Sequence, residues 1–272
     1  MTTEKIPIDV DLAAASCENN SLPTRPGLSR IGLIVPSSNT TMETELPELF
    51  RRQTEATGHL YTFHSARAAM KQVNREELLA MVDKAADCAI AVSDANVDVI
   101  AYACLVAVMA QGAGAHEKSE QVIAQAAKDN GHPADVVSSA GALIRALQSI
   151  GARRIAMVTP YMAPLTQMVR EYIEAEGIEV VDAIALEVPD NLAVGRLDAH
   201  QLPAIAATLR REGADAIVLS ACVQMPSLPA VQQVEDELGL PVVTAATATV
   251  YDILKTLGHR PAIAQAGRLL AP

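Results

Sequence analysis

The sequence predicts an α/β protein made of two pseudo-symmetric, doubly wound parallel-sheet domains, with the active site in the cleft between them. Three observations lead to this prediction. From residue 30 onwards, short apolar runs alternate with amphipathic segments, which is typical of parallel strands joined by helices. The two halves of the chain repeat one another. Each repeat places polar or sulfur-containing residues directly after a strand, where doubly wound sheets bind their ligands.

Eight apolar runs are predicted as strands, because they are short and bounded by Pro, Gly or polar residues. In chain order, the predicted strands cover residues 30–35, 59–66, 98–103, 134–137, 153–159, 178–186, 215–221 and 240–245. The segments between them have apolar residues at helical spacing and are predicted as helices. These cover residues 41–55, 75–95, 117–130, 138–151, a segment ending at 176, then 199–212, 228–238 and 246–257. Pro47 is expected to make the first helix irregular.

The chain divides into a short N-terminal segment and two predicted domains. Residues 1–29 are expected to form a flexible arm, because they combine several prolines with the polar run CENNS. We assign residues 30–138 together with 246–272 to the first domain. Residues 139–245 are assigned to the second domain.

Composition excludes several classes of partner. The 272 residues carry a net charge of −11, and only 3% of them are aromatic. An acidic protein with few aromatic side chains is not expected to bind nucleic acid or an anionic membrane. No stretch reaches 18 apolar residues, and the N-terminal residues lack the basic and apolar regions of a secretory signal, so we expect a cytoplasmic protein. Helical faces rich in Ala and Val exceed what two small domains need to cover, which favours a homodimer.

The internal repeat aligns two pairs of segments. RIGLIVPSSNTT resembles RRIAMVTPYMAPLT, since in each an apolar strand leads to a proline and then to hydroxyl-bearing residues. DVIAYACLVA resembles DAIVLSACVQM, which aligns Cys104 with Cys222. Two sheets whose carboxyl ends face each other would therefore bring these two cysteines to opposite walls of one cleft.

The two aligned cysteines are candidates for covalent chemistry. A single cysteine after an apolar strand is commonly just a small buried side chain. The same residue at matching points of a repeat favours a chemical role, and the N-terminus of a following helix would stabilise a thiolate there. Cys88 lies within a predicted helix and Cys17 lies in the arm, so we expect both to be structural.

Neutral polar residues lie near both cysteines in the predicted fold, and each has an ordinary alternative role. Residues 37–41 in PSSNTTMETE suit either an anion site or a turn followed by a helix cap. Tyr161 in TPYM suits either the site or packing with its hydroxyl exposed. Asn191 in PDNL suits either the site or a turn.

No cofactor or metal motif is present in the sequence. The cysteines form no CxxC pair, the six histidines lack ligand spacing, and the GAG at residues 112–114 has no third glycine at dinucleotide-fingerprint spacing. There is also no Walker loop and no GxSxG. The prediction is therefore a cysteine-based site with no cofactor and no metal.

These residues resemble those of the maleate cis–trans isomerase family, within the aspartate/glutamate racemase superfamily. The resemblance covers roughly residues 30–258 and is carried by IGLIVPSSNTTMETE, AYACLVAVMA, VTPYMAPLT and SACVQMPSL. It implies that Cys104 is the nucleophile and that Cys222 is the proton donor and acceptor. It also implies a set of ligands for the substrate carboxylates: Asn39, Tyr161, Asn191 and the backbone at Leu105, Val106, Val223 and Gln224.

The function implied by the resemblance is cofactor-independent isomerisation of maleate, a small dicarboxylate, to fumarate. Cys104 would add covalently, the C2–C3 bond would rotate, and elimination would follow. Three alternatives remain open. An amino-acid racemase could use the same two thiols, although the motif loops offer few carboxylates for an ammonium group. An arylmalonate decarboxylase would need only one of the cysteines. A non-catalytic dicarboxylate-binding module would not need two thiols.

Overall fold

The computed structural model describes residues 27–70 and 75–272. The arm predicted for residues 1–29 therefore lies outside the described residues, apart from its last three positions, and so does Cys17. The first strand begins at Leu28, two residues earlier than the sequence predicts.

In the described part of the chain, eight strands form two four-stranded sheets, and every pairing is parallel. The strands are β1 Leu28–Pro36, β2 Leu60–Ala68, β3 Val99–Tyr102, β4 Asp135–Ser138, β5 Arg154–Thr159, β6 Glu179–Ala185, β7 Ala216–Ser220 and β8 Val242–Thr244. The strand order is β2-β1-β3-β4 in the first sheet and β6-β5-β7-β8 in the second. The order is thus the same in both sheets, and the predicted α/β fold class is confirmed.

Helices connect the strands and cover both sheets. They are α1 Met42–Thr57, α2 Arg75–Asp83, α3 Ala85–Ser93, α4 Leu105–Met109, α5 Ala115–Asp129, α6 Ser139–Ser149, α7 Ala163–Ala175, α8 Asn191–Val194, α9 Leu202–Ala207, α10 Leu228–Leu238 and α11 Ala245–Thr256. On the first sheet, α1 packs against α11, and α3 packs against α5. The core between these layers is almost entirely aliphatic, as the composition requires.

Each sheet reverses its winding direction at its centre. The first strand of each half, β1 or β5, is flanked on one side by the next strand in the chain and on the other by β3 or β7. Parallel sheets bind ligands at this switch point, beyond the carboxyl ends of the two central strands. The loops after β1, β3, β5 and β7 are therefore the positions from which a site can be built.

Several predicted helices differ from the structure. The single helix predicted over residues 75–95 is divided at Lys84, whose N–H bonds the carbonyl of Met81, three residues back instead of four. This tighter turn ends α2 before α3 begins. The helix predicted over residues 199–212 is a 3-10 turn followed by the six residues of α9. The short helices α4 and α8 were not predicted.

The proline inside the first helix does not interrupt it. Pro47 lies within α1, which nevertheless runs without a break to Gly58. That glycine has a φ of 76°, the left-handed conformation that ends a helix at little cost to glycine.

The predicted domain limits stay a prediction. Helices α6 and α11, which that prediction assigns to different domains, pack against each other. Across the described residues, no helix is long and apolar enough to cross a membrane.

Candidate active site

The loops that follow the central strands bring the predicted site residues together. Asn39 follows β1 and Cys104 follows β3 in the first sheet, while Tyr161 follows β5 and Cys222 follows β7 in the second. Asn191 is the first residue of α8. These five side chains line one cavity, and each is at most 4% exposed. The remaining lining residues are Pro36, Met70, Val106, Val223 and Gln224.

The cavity is small, and its lining residues are almost fully buried. Its volume is about 10 Å³, roughly the room that a single water molecule needs. A four-carbon dicarboxylate is several times larger, so the walls must separate when such a ligand enters. A larger groove of about 430 Å³ lies beside α10, but its lining residues include no cysteine. The chemistry that the sequence predicts therefore belongs to the small cavity.

Cys104 occupies the junction between a strand and a helix. It is the N-cap residue of α4, and its side chain is 1% exposed. Burial raises the pKa of its thiol to about 12, against a lowering by a hydrogen bond from the backbone N–H of Ala107. The nearby Cys222 raises this pKa further. A thiolate at Cys104 is thus unfavourable in the ligand-free cavity.

Cys222 receives more hydrogen bonds than Cys104. The backbone N–H of Gln224 donates to its sulfur at 3.3 Å, and the Ser220 hydroxyl donates to its carbonyl at 2.9 Å, which fixes the turn. Burial raises the pKa of the thiol, while hydrogen bonds from the Tyr161 hydroxyl and from the backbone at Gln224 and Met225 lower it. The two thiols titrate as a coupled pair, because a charge on one disfavours a charge on the other. Hydrogen bonding favours Cys222 as the bearer of a single negative charge.

Tyr161 supplies a neutral hydroxyl to the cavity. Burial raises its pKa well above the ordinary value for tyrosine, and the neighbouring Cys222 raises it further. The phenol therefore stays protonated and can donate a hydrogen bond. This position excludes the alternative in which the hydroxyl is exposed on the surface.

The loop after β1 uses most of its polar groups to hold other parts of the protein. The hydroxyls of Ser37 and Ser38 donate to the carbonyl of Met70 at 3.2 and 2.7 Å, and the Met70 N–H donates back to Ser37 at 3.0 Å. Arg67 of β2 donates to the carbonyls of Ser37 and Asn39. The run of hydroxyl residues is therefore mainly a structural loop and helix start.

Asn39 joins the two halves of the molecule. Its Nδ2 donates to the carbonyl of Val223 at 3.0 Å, while its Oδ1 accepts from the N–H groups of Thr41 and Met42 at the start of α1. An asparagine amide has two N–H donors, so one remains for a ligand. The Asn39 side chain is thus held rigidly with a donor to spare.

Asn191 is held in a similar way. Asp190 caps α8 by accepting from the N–H of Ala193, and Asn191 Nδ2 donates to the Ser38 hydroxyl at 2.7 Å. The second N–H of that amide remains available to a ligand.

The predicted backbone donors fall into two groups. Leu105 and Val106 begin α4, where N–H groups have no carbonyl partner inside the helix and can bind an anion. Leu105 is the one predicted site residue that does not line the cavity. The Gln224 N–H is directed at Cys222, and the Val223 carbonyl accepts from Asn39. These two residues also hold the cysteine loop in place.

The side chain of Gln224 is a feature that the sequence did not reveal. Its Oε1 accepts from the N–H of Thr40 at 2.8 Å, and its Nε2 donates to the carbonyls of Asn191 at 2.9 Å and Ser38 at 3.1 Å. One buried amide thus connects three loops of the site. Gly195 makes room for it, since a Cβ atom there would lie 2.6 Å from Gln224 Nε2.

The cavity lining holds no lysine, arginine or histidine. Among the described residues, no group of three or more His, Cys, Asp or Glu side chains is arranged to hold a metal ion. The donors that the cavity offers are hydroxyl, amide and backbone N–H groups, which suit the oxygen atoms of a carboxylate.

The sequence also has close relatives among known proteins. It is 56% identical over 243 residues to a maleate isomerase from Geobacillus stearothermophilus, an alignment that covers 89% of this chain and 97% of the relative. The chain belongs to the maleate isomerase family. The resemblance stated from the sequence motifs is thereby confirmed. The sequence model of the arylmalonate decarboxylase family also matches residues 31–270.

Solved structures of maleate isomerases share this fold. Iso from Pseudomonas putida S16, in a Cys-to-Ala variant with maleate, gives a TM-score of 0.89 at 47% identity, covering 90% of this chain and 98% of that one. The enzyme from Nocardia farcinica, a Cys-to-Ser mutant with a covalently bound succinylcysteine intermediate, gives 0.87 at 48% identity with the same coverage.

Proposed function

We propose that this protein isomerises maleate to fumarate, without a cofactor, by reversible addition of Cys104 to the double bond. The observation that carries the proposal is that two buried thiols line one small cavity together with neutral hydrogen-bond donors, in a member of the maleate isomerase family. The succinylcysteine found in the Nocardia farcinica relative is the species that addition and protonation would give.

The reaction removes the double bond for long enough to allow rotation. The sulfur of Cys104 bonds to C2 as the π bond breaks, and the electron pair moves onto C3 and its carboxylate. A proton from Cys222 then adds to C3, which leaves a succinyl thioether with a single C2–C3 bond. After rotation, Cys222 removes that proton, and the electron pair of the C3–H bond re-forms the double bond of fumarate. The C2–S bond breaks with its electron pair going to Cys104, which takes its proton back from Cys222.

The hydrogen bonds of the ligand-free site support a specific route for activating the nucleophile. Because these bonds favour a negative charge on Cys222, that residue is the base that takes the proton of Cys104 as the carbon–sulfur bond forms. The same proton is then the one delivered to C3. Cys222 thus acts as acceptor and donor in turn.

Neutral donors suit this reaction better than salt bridges would. Negative charge develops on a carboxylate during addition, and each positioned donor lowers the barrier by about 2–4 kcal/mol. Asn39 and Asn191 each have an N–H free for this purpose, and the single O–H of Tyr161 serves it when that hydroxyl turns from Cys222 to the substrate. The N–H of Val106, in the cavity wall at the start of α4, is a further donor. An arginine would bind the ground-state dicarboxylate tightly without favouring the transition state.

A proton NMR time course tests the proposal. Reduced, purified protein is mixed with maleate and a chelator, with no added cofactor. Growth of the fumarate vinyl signal, absent with a Cys104→Ala variant, is the expected result. A folded, reduced sample that produces no fumarate contradicts the proposal, and turnover that survives Cys104→Ala contradicts the assigned nucleophile.

We also propose that the protein acts as a homodimer in the cytoplasm. Exposed apolar side chains on two adjacent helices, Ile90 of α3 and Val122 of α5, support a dimer. The three described cysteines, Cys88, Cys104 and Cys222, are free thiols, which suits a reducing compartment. Light scattering during gel filtration tests the dimer, and a monomer mass at micromolar concentration contradicts it. Fractionation of the source cells tests the compartment.

A further inference from the structure

A buried carboxylate lies between the two halves of the molecule. Glu45 of α1 is 7% exposed, and its Oε1 accepts from the N–H groups of Ser227 at 2.6 Å and Leu228 at 2.8 Å. Its Oε2 accepts from the Ser227 hydroxyl at 3.3 Å. Ser227 is the N-cap residue of α10 but makes no side-chain cap of its own. A residue from the first half of the chain therefore caps a helix of the second half.

Residues 39–45 make three contacts with the loop that carries Cys222, and Glu45 makes the last of them. Asn39 holds the carbonyl of Val223, and the Thr41 hydroxyl donates to the carbonyl of Gln224 at 2.6 Å. Together with Glu45, these contacts fix the cysteine loop at its beginning, its middle and its end. Asn39, Thr41 and Glu45 thus attach the first half of the molecule to the Cys222 loop.

The buried position of Glu45 disfavours the charged form of its carboxyl group. Glu45 forms no ion pair with any described residue, and burial raises its pKa. Keeping an unpaired carboxylate away from water opposes folding, and only hydrogen bonds and the positive end of α10 offset this. Hydrogen bonds to a charged acceptor are about twice as strong as neutral ones. The carboxylate of Glu45 therefore attaches this loop through hydrogen bonds that are stronger than those of a neutral cap.

We propose that Glu45 is a positioning residue for the proton transfers of Cys222. By holding the first amides of α10, it keeps the Cys222 loop against the first half of the molecule, where Cys104 and Asn39 lie. The inference rests on the proposed isomerase function, because it assumes that Cys222 carries the proton.

Three variants test the proposal with maleate as substrate. Glu45→Ala removes the contact, and Glu45→Gln keeps an oxygen that accepts both N–H groups. Glu48→Ala is the matched control, because Glu48 lies on the same helix and pairs with Arg51 and Arg52 of that helix, not with the Cys222 loop. For each variant we would measure kcat, KM, the solvent deuterium isotope effect and, by peptide mass mapping, the iodoacetamide alkylation rates of Cys222, Cys104 and Cys88.

Glu45→Ala is expected to lower kcat by about 10- to 100-fold with little change in KM, because a displacement of about 1 Å costs that much in a positioned reaction. The isotope effect should rise as proton transfer becomes slower, and alkylation of Cys222 should accelerate more than that of Cys104. Glu45→Gln should recover part of the lost kcat, because its neutral oxygen still accepts both N–H groups but binds them more weakly than the carboxylate does. Glu48→Ala should behave as the unmodified protein.

Kinetics for Glu45→Ala that equal those of Glu48→Ala overturn the proposal. So does a loss of activity in which all three cysteines become equally reactive, since that indicates general unfolding. Should the unmodified protein fail to isomerise maleate, the proposed function is wrong. The alkylation pattern then still decides whether Glu45 holds the Cys222 loop.

Discussion

Replacing Tyr161 with phenylalanine removes one hydroxyl group and leaves the ring that fills the site. The lost group is a hydrogen-bond donor to Cys222 that lowers the pKa of this thiol. A hydrogen bond to a charged group contributes about 1.5–3 kcal/mol, which corresponds to about 1–2 pKa units. Tyr161→Phe is therefore expected to raise the pKa of Cys222 by that amount and to lower kcat by about 10- to 100-fold at neutral pH.

The assay is the pH dependence of kcat for the unmodified protein and for Tyr161→Phe. Loss of a proton from the thiol pair activates the site, so activity rises with pH until the pair is deprotonated. A higher pKa in the variant moves this rise to higher pH, by about the same 1–2 units. The difference in rate between the two proteins should shrink as the pH increases. Urea unfolding serves as the control, because a near-isosteric change should alter stability by less than about 1.5 kcal/mol.

An unchanged pH profile would refute this reasoning. If Tyr161→Phe lowers kcat equally at every pH, the hydroxyl acts on the substrate alone and not on the ionisation of Cys222. If the variant retains full activity, Tyr161 has no part in the reaction.

Three further changes have outcomes set by the structure. Gly195→Ala places a Cβ atom 2.6 Å from both Gln224 Nε2 and Thr40 Oγ1. The free energy of unfolding in urea should therefore fall by about 1–3 kcal/mol. An unchanged midpoint of urea unfolding would show that Gln224 is not held there. The folded-state pKa of Cys104 is about 12, above its ordinary 9.0, so its contribution to stability is complete below about pH 9 and is lost as the pH rises towards 12. Urea unfolding across this range should show a shallower decline for Cys104→Ser than for the unmodified protein. Asn39→Asp puts a negative charge beside the dicarboxylate and removes the hydrogen-bond donor to the Val223 carbonyl. In steady-state assays, kcat/KM should therefore fall at least about 100-fold. A smaller loss would indicate that Asn39 does not face the substrate.

Local sequence pattern was sufficient to predict the strands and the positions of Cys104 and Cys222 at strand ends. Apolar runs such as those of β3 and β7 end at a residue that the pattern marks clearly, so Cys104 and Cys222 could be placed at strand ends. The repeat then aligned the two halves, and the structure has the same strand order in both sheets. These features depend on neighbouring residues and on general rules of parallel sheets.

Contacts between distant loops could not be predicted in this way. Thr40 and Gln224 are 184 residues apart, and nothing near either residue indicates that the amide of Gln224 connects three loops. Burial of Glu45 was equally hidden, because an acidic residue in the first turn of a helix is ordinarily exposed. The break at Lys84 depends on a single backbone hydrogen bond, which the apolar spacing of residues 75–95 does not reveal.

The central claim is that Cys104 forms a covalent bond to the substrate, and peptide mass mapping tests it most directly. A Cys222→Ser variant, in which the serine hydroxyl or water replaces the thiol as a slower proton carrier so that the adduct forms slowly and persists, is incubated with maleate, quenched with acid and digested. The account predicts a succinyl group on the peptide that contains Cys104 and none on that containing Cys88, with no adduct in a Cys104→Ala variant. An adduct on another residue, or full turnover by Cys104→Ala, would contradict the account.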